Sequence, residues 1–262
     1  MGARPPAGRG AKSVALRVAV LTTQTKHHTY FLNRLAGEFE LCPVYYERRR
    51  LKKKYATGPF FDADENEFEE KFFEPAMGGV PRELPSEVDR AVVELHSVNQ
   101  VGVAEHLFAN APDIAITFGV GRVDPAIFEI PRWGTINVHR GITQRYRGLD
   151  SDLWAVHEEN FDQIGVTIHF VDAQFDTGAI VSQKFVPVER QDALHHLRYK
   201  TTVVAVDLIL EALREAERFG RSPTATPQAA PGAYYSAMPL ETKIETLEKF
   251  RQYQAKNRQS PD

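Results

Sequence analysis

The chain has a single cysteine, Cys42, among 262 residues, so no disulfide can form within it. The surrounding run Leu41-Cys42-Pro43-Val44 predicts a buried thiol in a reducing, cytoplasmic setting. No apolar stretch approaches the ~20 residues a membrane-spanning helix needs. Residues 1–12 are rich in Gly, Pro, Ala and Arg but lack the apolar segment of a secretory signal, which leaves them as a flexible leader. Neither sign of charge dominates: 32 Lys and Arg against 35 Asp and Glu give −3. That balance supplies no general attraction to nucleic acid or to an anionic membrane. Internal repeats are missing, as is a Gly-x-Ser-x-Gly nucleophile turn. His27 and His28 are adjacent but have no Cys, Asp or Glu at a ligand spacing, so no metal is expected and they read as part of a polar loop over a pocket.

What is present suffices for one large soluble domain: 42% hydrophobic residues, 10% of all residues being aromatic, can build a core at this length. Periodicity predicts a strand over 14–21, a polar loop over 22–28 and a helix over 29–38, the opening of a doubly wound fold. A strand over 40–46 follows, then a charged segment 47–54 read as a solvated helix face, and an insertion of short helix and loop over 58–85. A helix over 100–110 should bury Val101, Ala104, Leu107 and Phe108 and stop before Pro112. Strands are expected over 114–118 and 180–188, with a long amphipathic helix over 192–218. The expected class is α/β, a Rossmann-like, mostly parallel sheet with helices on both faces. Residues 1–13 form the leader, 14–220 the catalytic domain, and 221–262 a proline-rich linker and helical tail too small for its own core.

Residues 137–181 concentrate the chemically able side chains. Thr135-Ile136-Asn137-Val138-His139 alternates, so a strand presents Thr135, Asn137 and His139 on one face and packs Ile136 and Val138 on the other. Asp176 lies in the turn Phe175-Asp176-Thr177-Gly178, just past the strand Gly165-Val166-Thr167-Ile168-His169-Phe170-Val171. An amide, an imidazole and a carboxylate are thereby available to one pocket at the strand ends, where α/β folds place their sites. Each alone has a plainer reading. Asn and Asp are common turn formers, and a lone His near a strand is usually a half-buried, satisfied side chain. His169 shares a strand face with Thr167 and is read as a ligand contact or a structural hydrogen-bonding group.

This order of residues resembles the formyltransferase family, which includes glycinamide ribonucleotide, methionyl-tRNA and sugar-nucleotide N-formyltransferases. The family signature runs Asn-x-His, Ser-x-Leu-Pro-x-Tyr-Arg/Lys-Gly, a Gly-x-Thr/Ser-x-His strand and an Asp-x-Gly turn. Asn137, His139, Tyr146-Arg147-Gly148, the 165–169 strand and Asp176-Thr177-Gly178 match. The Ser-x-Leu-Pro portion does not, since Gly141, Thr143 and Gln144 stand there. The resemblance spans about residues 16–215 and is strongest over 112–188. The phrase from Gly148 to Ala155 looks most like members acting in glycan or small-metabolite pathways.

The resemblance implies 10-formyltetrahydrofolate as co-substrate, no metal, and Asn137, His139 and Asp176 as the catalytic group. Formyl transfer needs stabilisation of a tetrahedral oxyanion and movement of the amine's proton. Asn137 would donate to the formyl oxygen, His139 would stabilise charge and move protons, and Asp176 would orient the imidazole or a water. A pterin slot would be lined by Phe118, Gly119, Val120, Arg122 and Val123, with Val171 and Ala173 opposite. Lys26, Tyr146 and Arg147 are the acceptor-binding candidates, Arg147 being equally readable as a loop cap. The expected acceptor is a primary amine of a small molecule, such as a nucleotide-linked amino sugar. No phosphate-binding glycine loop follows the first strand, which argues against glycinamide ribonucleotide. Hydrolysis of the same co-substrate, and a non-catalytic folate- or sugar-binding module, are the alternatives. Nucleic acid and membrane partners are disfavoured, and the oligomeric state is left open, a homodimer included.

Overall fold

The computed structural model describes residues 16–48, 54–58 and 83–259. The leader, most of the 58–85 insertion and most of the charged 47–54 segment lie outside the described residues. Nine strands are described: β1 Arg17–Thr22, β2 Glu40–Glu47, β3 Val92–Leu95, β4 Ile114–Phe118, β5 Thr135–His139, β6 Tyr146–Gly148, β7 Gly165–Phe170, β8 Ile180–Phe185 and β9 Ala233–Tyr235. Seven of them form one sheet in the order β3-β2-β1-β4-β5-β7-β8. The first five are parallel, while β7 runs antiparallel to β5 and β8 antiparallel to β7. The order reverses between β1 and β4, which opens a crevice at the carboxyl ends of those strands.

Helices α1 Lys26–Ala36 and α6 His196–Phe219 cover one face. Their Phe31, Leu35, Ile209 and Leu213 pack on Val18, Val20, Ile116, Ile136 and Ile168. Helices α2 Ser86–Arg90, α3 Val103–Asn110 and α4 Pro125–Phe128 lie between the parallel strands. On the second face Leu107 and Ile127 close over Ala19, Leu21, Tyr45 and Ala115. On β5 and β7 this second face carries Thr135, Asn137, His139, Thr167 and His169 by strand alternation. The apolar core therefore stops there, and a polar floor begins.

The tail is built into the body. β9 pairs in parallel with β6, Arg147 opposite Tyr234. Met238 and Phe250, the latter on α7 Leu240–Gln259, are buried with Leu153 of α5 Ser151–His157. The proline-rich stretch is tied down as well, because Thr226 and Ile180 exchange two backbone hydrogen bonds of 2.8 Å.

Several expectations are corrected. Helix α1 begins at Lys26, so His27 and His28 sit in its first turn and not in a loop. The Thr25 hydroxyl lies 2.7 Å from His28 Nδ1 and 3.0 Å from His27 Nδ1, and both rings pack on Phe118. Helix α3 starts after Gly102, and it buries Val103 and Leu107 while Val101 and Phe108 face outward. Of the four positions expected inside, Leu107 is buried and Ala104 packs against the same cluster, while Val101 belongs to the preceding turn. Cys42 is half-buried, its Sγ 3.5 Å from Asn110 Oδ1. Among the described residues no helix is long and apolar enough to cross a membrane.

Candidate active site

The three signature side chains meet at the ends of β5 and in the turn after β7. Asn137 is opposite Thr117 of β4 on one side and His169 of β7 on the other, a row across three neighbouring strands. Thr117 Oγ1 donates to Asn137 Oδ1 at 2.8 Å, which turns the amide nitrogen away from β4. That nitrogen lies 3.1 Å from His169 Nε2 and 3.4 Å from Asp176 Oδ1. His169 Nδ1 donates to the Phe170 carbonyl at 2.8 Å, so in the neutral ring Nε2 is the acceptor that Asn137 requires. The tautomer follows from these partners. Both faces of the amide are therefore fixed, and an acyl oxygen that takes an N–H of Asn137 must replace one of the present acceptors.

His139 is held in the complementary way. Its Nε2 donates to the Tyr146 carbonyl at 2.8 Å, with Ser151 Oγ 3.3 Å away. Its Nδ1 faces Asp176 Oδ2 at 3.5 Å, so this is the atom at which a proton can be gained beside a carboxylate. Burial pushes the His139 pKa below its ordinary 6.5, against the opposing pull of Asp176. Asp176 is nearly buried, and burial alone would raise its pKa. His139, His169 and the Gly148 N–H, which donates to Oδ2 at 2.7 Å, outweigh that and hold the carboxyl well below the usual carboxylate range. Asp176 is thus a carboxylate, with His139 Nδ1 3.5 Å from Oδ2 and His169 Nε2 3.4 Å from Oδ1, placed to stabilise a proton gained by either ring.

The loop between them depends on small residues. A Cβ on Gly141 would lie 2.6 Å from both His139 Nε2 and Ser151 Cβ. The glycine found in place of the signature's serine is therefore required here, and Ser151 brings a hydroxyl to the imidazole instead. Gly148, at φ +93°, would put a Cβ 2.1 Å from the Tyr235 carbonyl, so β9 can approach β6 only at a glycine.

Asn137, His139, His169 and Asp176 line a cleft of about 730 Å³. One wall is Phe118, Gly119, Val120, Arg122 and Val123; Val171, Asp172 and Gln174 line it as well, and Ala173 is not among the lining residues. Buried Glu47 receives the Gly121 N–H at 2.7 Å and the Val98 N–H at 3.1 Å, pinning the loop after β4. At the mouth stand Tyr55, Leu149, Phe175 and Tyr234. The acceptor candidates fare differently. Tyr146 is buried, with its hydroxyl donating to Glu158 at 2.9 Å, and the structure turns it away from the cleft. Arg147 donates to the carbonyls of Gly232 (2.7 Å) and Phe175 (3.2 Å), so it fastens loops. Neither Arg147 nor Lys26 is among the described residues that line the cleft. Thr117 and Ser151 are contacts that the sequence pattern does not single out, while His169, expected as a ligand contact or a structural hydrogen-bonding group, lines the cleft and makes hydrogen bonds there. The Gly-x-Thr-x-His spacing was a visible signal for His169 alone. Among the described residues no group of three or more His, Cys, Asp or Glu is placed to hold a metal ion.

Comparison with known proteins places this site in context. The family model described as formyl transferase matches residues 50–213. Methionyl-tRNA formyltransferase of Burkholderia pseudomallei (strain 1106a) is 32% identical over 142 residues, 54% of this chain and 43% of that protein. The enzyme of the same name from Thermodesulfovibrio yellowstonii is 36% identical over 104 residues, 39% and 33% of the two chains. The match to these relatives thus spans less than half of their length. In structure the chain is similar to a sugar N-formyltransferase from Shewanella sp FDAARGOS_354, with a TM-score of 0.58 at 13% identity over 89% of this chain and 87% of that one. HypX from Aquifex aeolicus, solved in complex with tetrahydrofolic acid, gives 0.56 at 16% identity over 94% of this chain and 35% of HypX. These likenesses are of fold. With more than half of its residues matched by the family model, the chain is a member of the formyl transferase family.

Proposed function

We propose that the chain transfers a formyl group from 10-formyltetrahydrofolate to a primary amine of a small-molecule acceptor, a nucleotide-linked amino sugar being the favoured class. The observation that carries this reading is the convergence of Asn137, His139 and Asp176, joined by His169, on the floor of one cleft at the switch point of the sheet. The residues present fit a folate. The cleft volume is in the usual range for cofactor sites, and the 118–123 wall and Val171 both line it; Gly119, at φ +77°, lets that wall close on His28, whose Nε2 a Cβ there would meet at 2.7 Å. HypX, similar in fold, was solved in complex with tetrahydrofolic acid, which supports a folate as co-substrate.

In this reading the folate supplies the activated formyl group, and the chain's residues orient it and move protons. Asn137 presents an N–H to the acyl oxygen, held in register by Thr117 and His169. As the amine nitrogen bonds to the formyl carbon, His139 takes its proton at Nδ1, the position next to Asp176, the carboxylate stabilises the imidazolium so formed, and that proton can then pass to the nitrogen that departs when the donor's C–N bond breaks. Half-exposed Phe175 and Tyr234 at the mouth, 5.8 Å apart between ring centroids, favour an acceptor with a flat or apolar portion. The sugar N-formyltransferase from Shewanella sp FDAARGOS_354 among the similar structures supports the acceptor class. A cytoplasmic setting accords with the lone, half-buried Cys42.

The test is tetrahydrofolate formation by the purified chain with a panel of amino-sugar nucleotides. Acceptor-dependent turnover is expected. Release of formate that no amine accelerates identifies a hydrolase, and folate binding without release identifies a binding module; either sinks the proposal.

A further inference from the structure

The Asp176 turn is gripped from outside the catalytic group. Asp176 has φ 55°, in the left-handed region that side chains other than Asn and Asp seldom adopt. Three carbonyls around it accept side-chain donors. Phe175 O accepts Arg147 Nη1 at 3.2 Å, while Asp176 O and Gly178 O both accept Gln228 Nε2, at 3.0 and 2.8 Å. On the inner side a Cβ at Gly178 would lie 1.8 Å from the Phe170 carbonyl, so the turn is pressed against β7 and has no room to shift that way.

Gln228 belongs to the proline-rich stretch beyond the family match. That stretch is anchored on both sides of it. Thr226 is bridged to Ile180, the Gly232 N–H donates to the Thr143 carbonyl at 3.0 Å, and the Gly232 carbonyl accepts Arg147 Nε. One NH2 group that spans the carbonyls of residues 176 and 178 fixes the path of the backbone between them, and with it the direction of the Asp176 side chain.

We infer that Gln228 is a positioning residue for the reaction: its amide holds the 175–178 turn in the conformation that aims the Asp176 carboxylate at His139 and His169. This rests on the reading of Asp176 as part of the catalytic group. A spacer or a merely connecting segment has no need of a donor pair aimed at the two carbonyls that frame the carboxylate. The sequence concealed the role, because a glutamine among prolines and alanines looks like solvated linker.

The experiment uses the full chain with Gln228→Met, which keeps length and volume but removes both donors, and Gln228→Lys, which keeps a donor within reach of both carbonyls. Two readouts are taken: the ring titrations of His139 and His169 by NMR, and kcat and KM for formyl release from 10-formyltetrahydrofolate. Besides Asp176, the groups facing His139 are His169 on β7 and Arg140 beside it on its own segment, and neither variant alters them. The Met variant should lose about 10- to 100-fold in kcat, with KM within about twofold of wild type. Its His139 should titrate lower, because the carboxylate that favours the charged ring has drifted. The Lys variant should restore both. A folded Met variant with wild-type kcat and wild-type titrations overturns the inference, as does a folded Lys variant as impaired as the Met one. Should the Met variant fail to fold, the Lys variant decides: wild-type values support the role and impaired values overturn it. Should the wild-type chain release no formyl group, the transfer reading fails, while the ring titrations still decide what Gln228 does.

Discussion

Asn137 and His169 stand directly opposite each other on β5 and β7, with the amide nitrogen of one 3.1 Å from Nε2 of the other. Side chains directly opposite on a sheet face are its natural contacts, and here the pair also determines chemistry. The Phe170 carbonyl fixes the histidine tautomer, and the tautomer fixes which end of the amide points into the cleft.

His169→Leu should therefore release the amide without disturbing the cleft wall formed by residues 118–123. We expect kcat to fall by about 10- to 100-fold from the loss of orientation, with the affinity for a folate analogue unchanged by calorimetry. His169→Gln, which can offer an acceptor oxygen, should recover part of the rate. A Leu variant as fast as wild type would mean that Thr117 alone holds Asn137.

How much of this could be read beforehand divides along local and long-range lines. Alternation over residues 135–139 is a local signal, and it put Asn137 and His139 on one face as found. The alignment of Thr117, Asn137 and His169 depends on register between strands far apart in sequence, which no local pattern encodes. Tyr146 is expected at the acceptor within the Tyr146-Arg147-Gly148 match, yet the contact with Glu158 and with Tyr235 of the tail, both outside that match, draws it inward. The linker was opaque because its ties, through Thr226 and Gln228, reach back about 50 residues to the turn they hold.

The adjacent histidines of α1 give a pH-dependent stability. Burial, reinforced by Arg140 and Arg198, lowers the His28 pKa from 6.5 to about 3. Between those values the unfolded chain binds a proton that the folded chain refuses, so stability falls as pH drops below 6.5. The slope reaches about 1.4 kcal/mol per pH unit for each such group. His27 is lowered for the same reasons, burial first and then its neighbours His28, Arg140 and Arg198. His28→Phe should flatten the decline of unfolding free energy between pH 6.5 and pH 4.5 by about one proton's worth. Urea denaturation at a series of pH values measures it, and an unchanged slope would show that His28 is charged in the folded state.

Phe250 reports on the tail. It is 1% exposed and packs in the cluster that holds Leu153, Met238 and Leu197. Phe250→Ala should cost about 3–5 kcal/mol, the usual range for a buried aromatic, read as a lower denaturation midpoint. Turnover per folded molecule should be unaffected, since Phe250 is not among the residues that line the cleft. A loss below about 1 kcal/mol, the level expected of a surface position, would mean that α7 does not dock as described.

Asp176→Asn tests the site as a unit. The change keeps size, and Asn tolerates the left-handed backbone at φ 55°, so the fold and the folate affinity should stay close to wild type. What goes is the carboxylate that stabilises a charged His139. Transfer should then fall by a factor on the order of 10²–10⁴, and adding His139→Ala should slow it little further, because the two act on one proton. Stability gives a second reading. The folded carboxyl titrates well below its ordinary 3.8, so the wild-type carboxylate contributes stability above that pH, and the contribution is lost as pH falls through the depressed value. The wild-type advantage in melting temperature over the Asn variant should accordingly be full at neutral pH and shrink below pH 3.8. An Asn variant that transfers formyl at the wild-type rate would make Asp176 a turn residue, and the proton path through His139 Nδ1 would have to be abandoned.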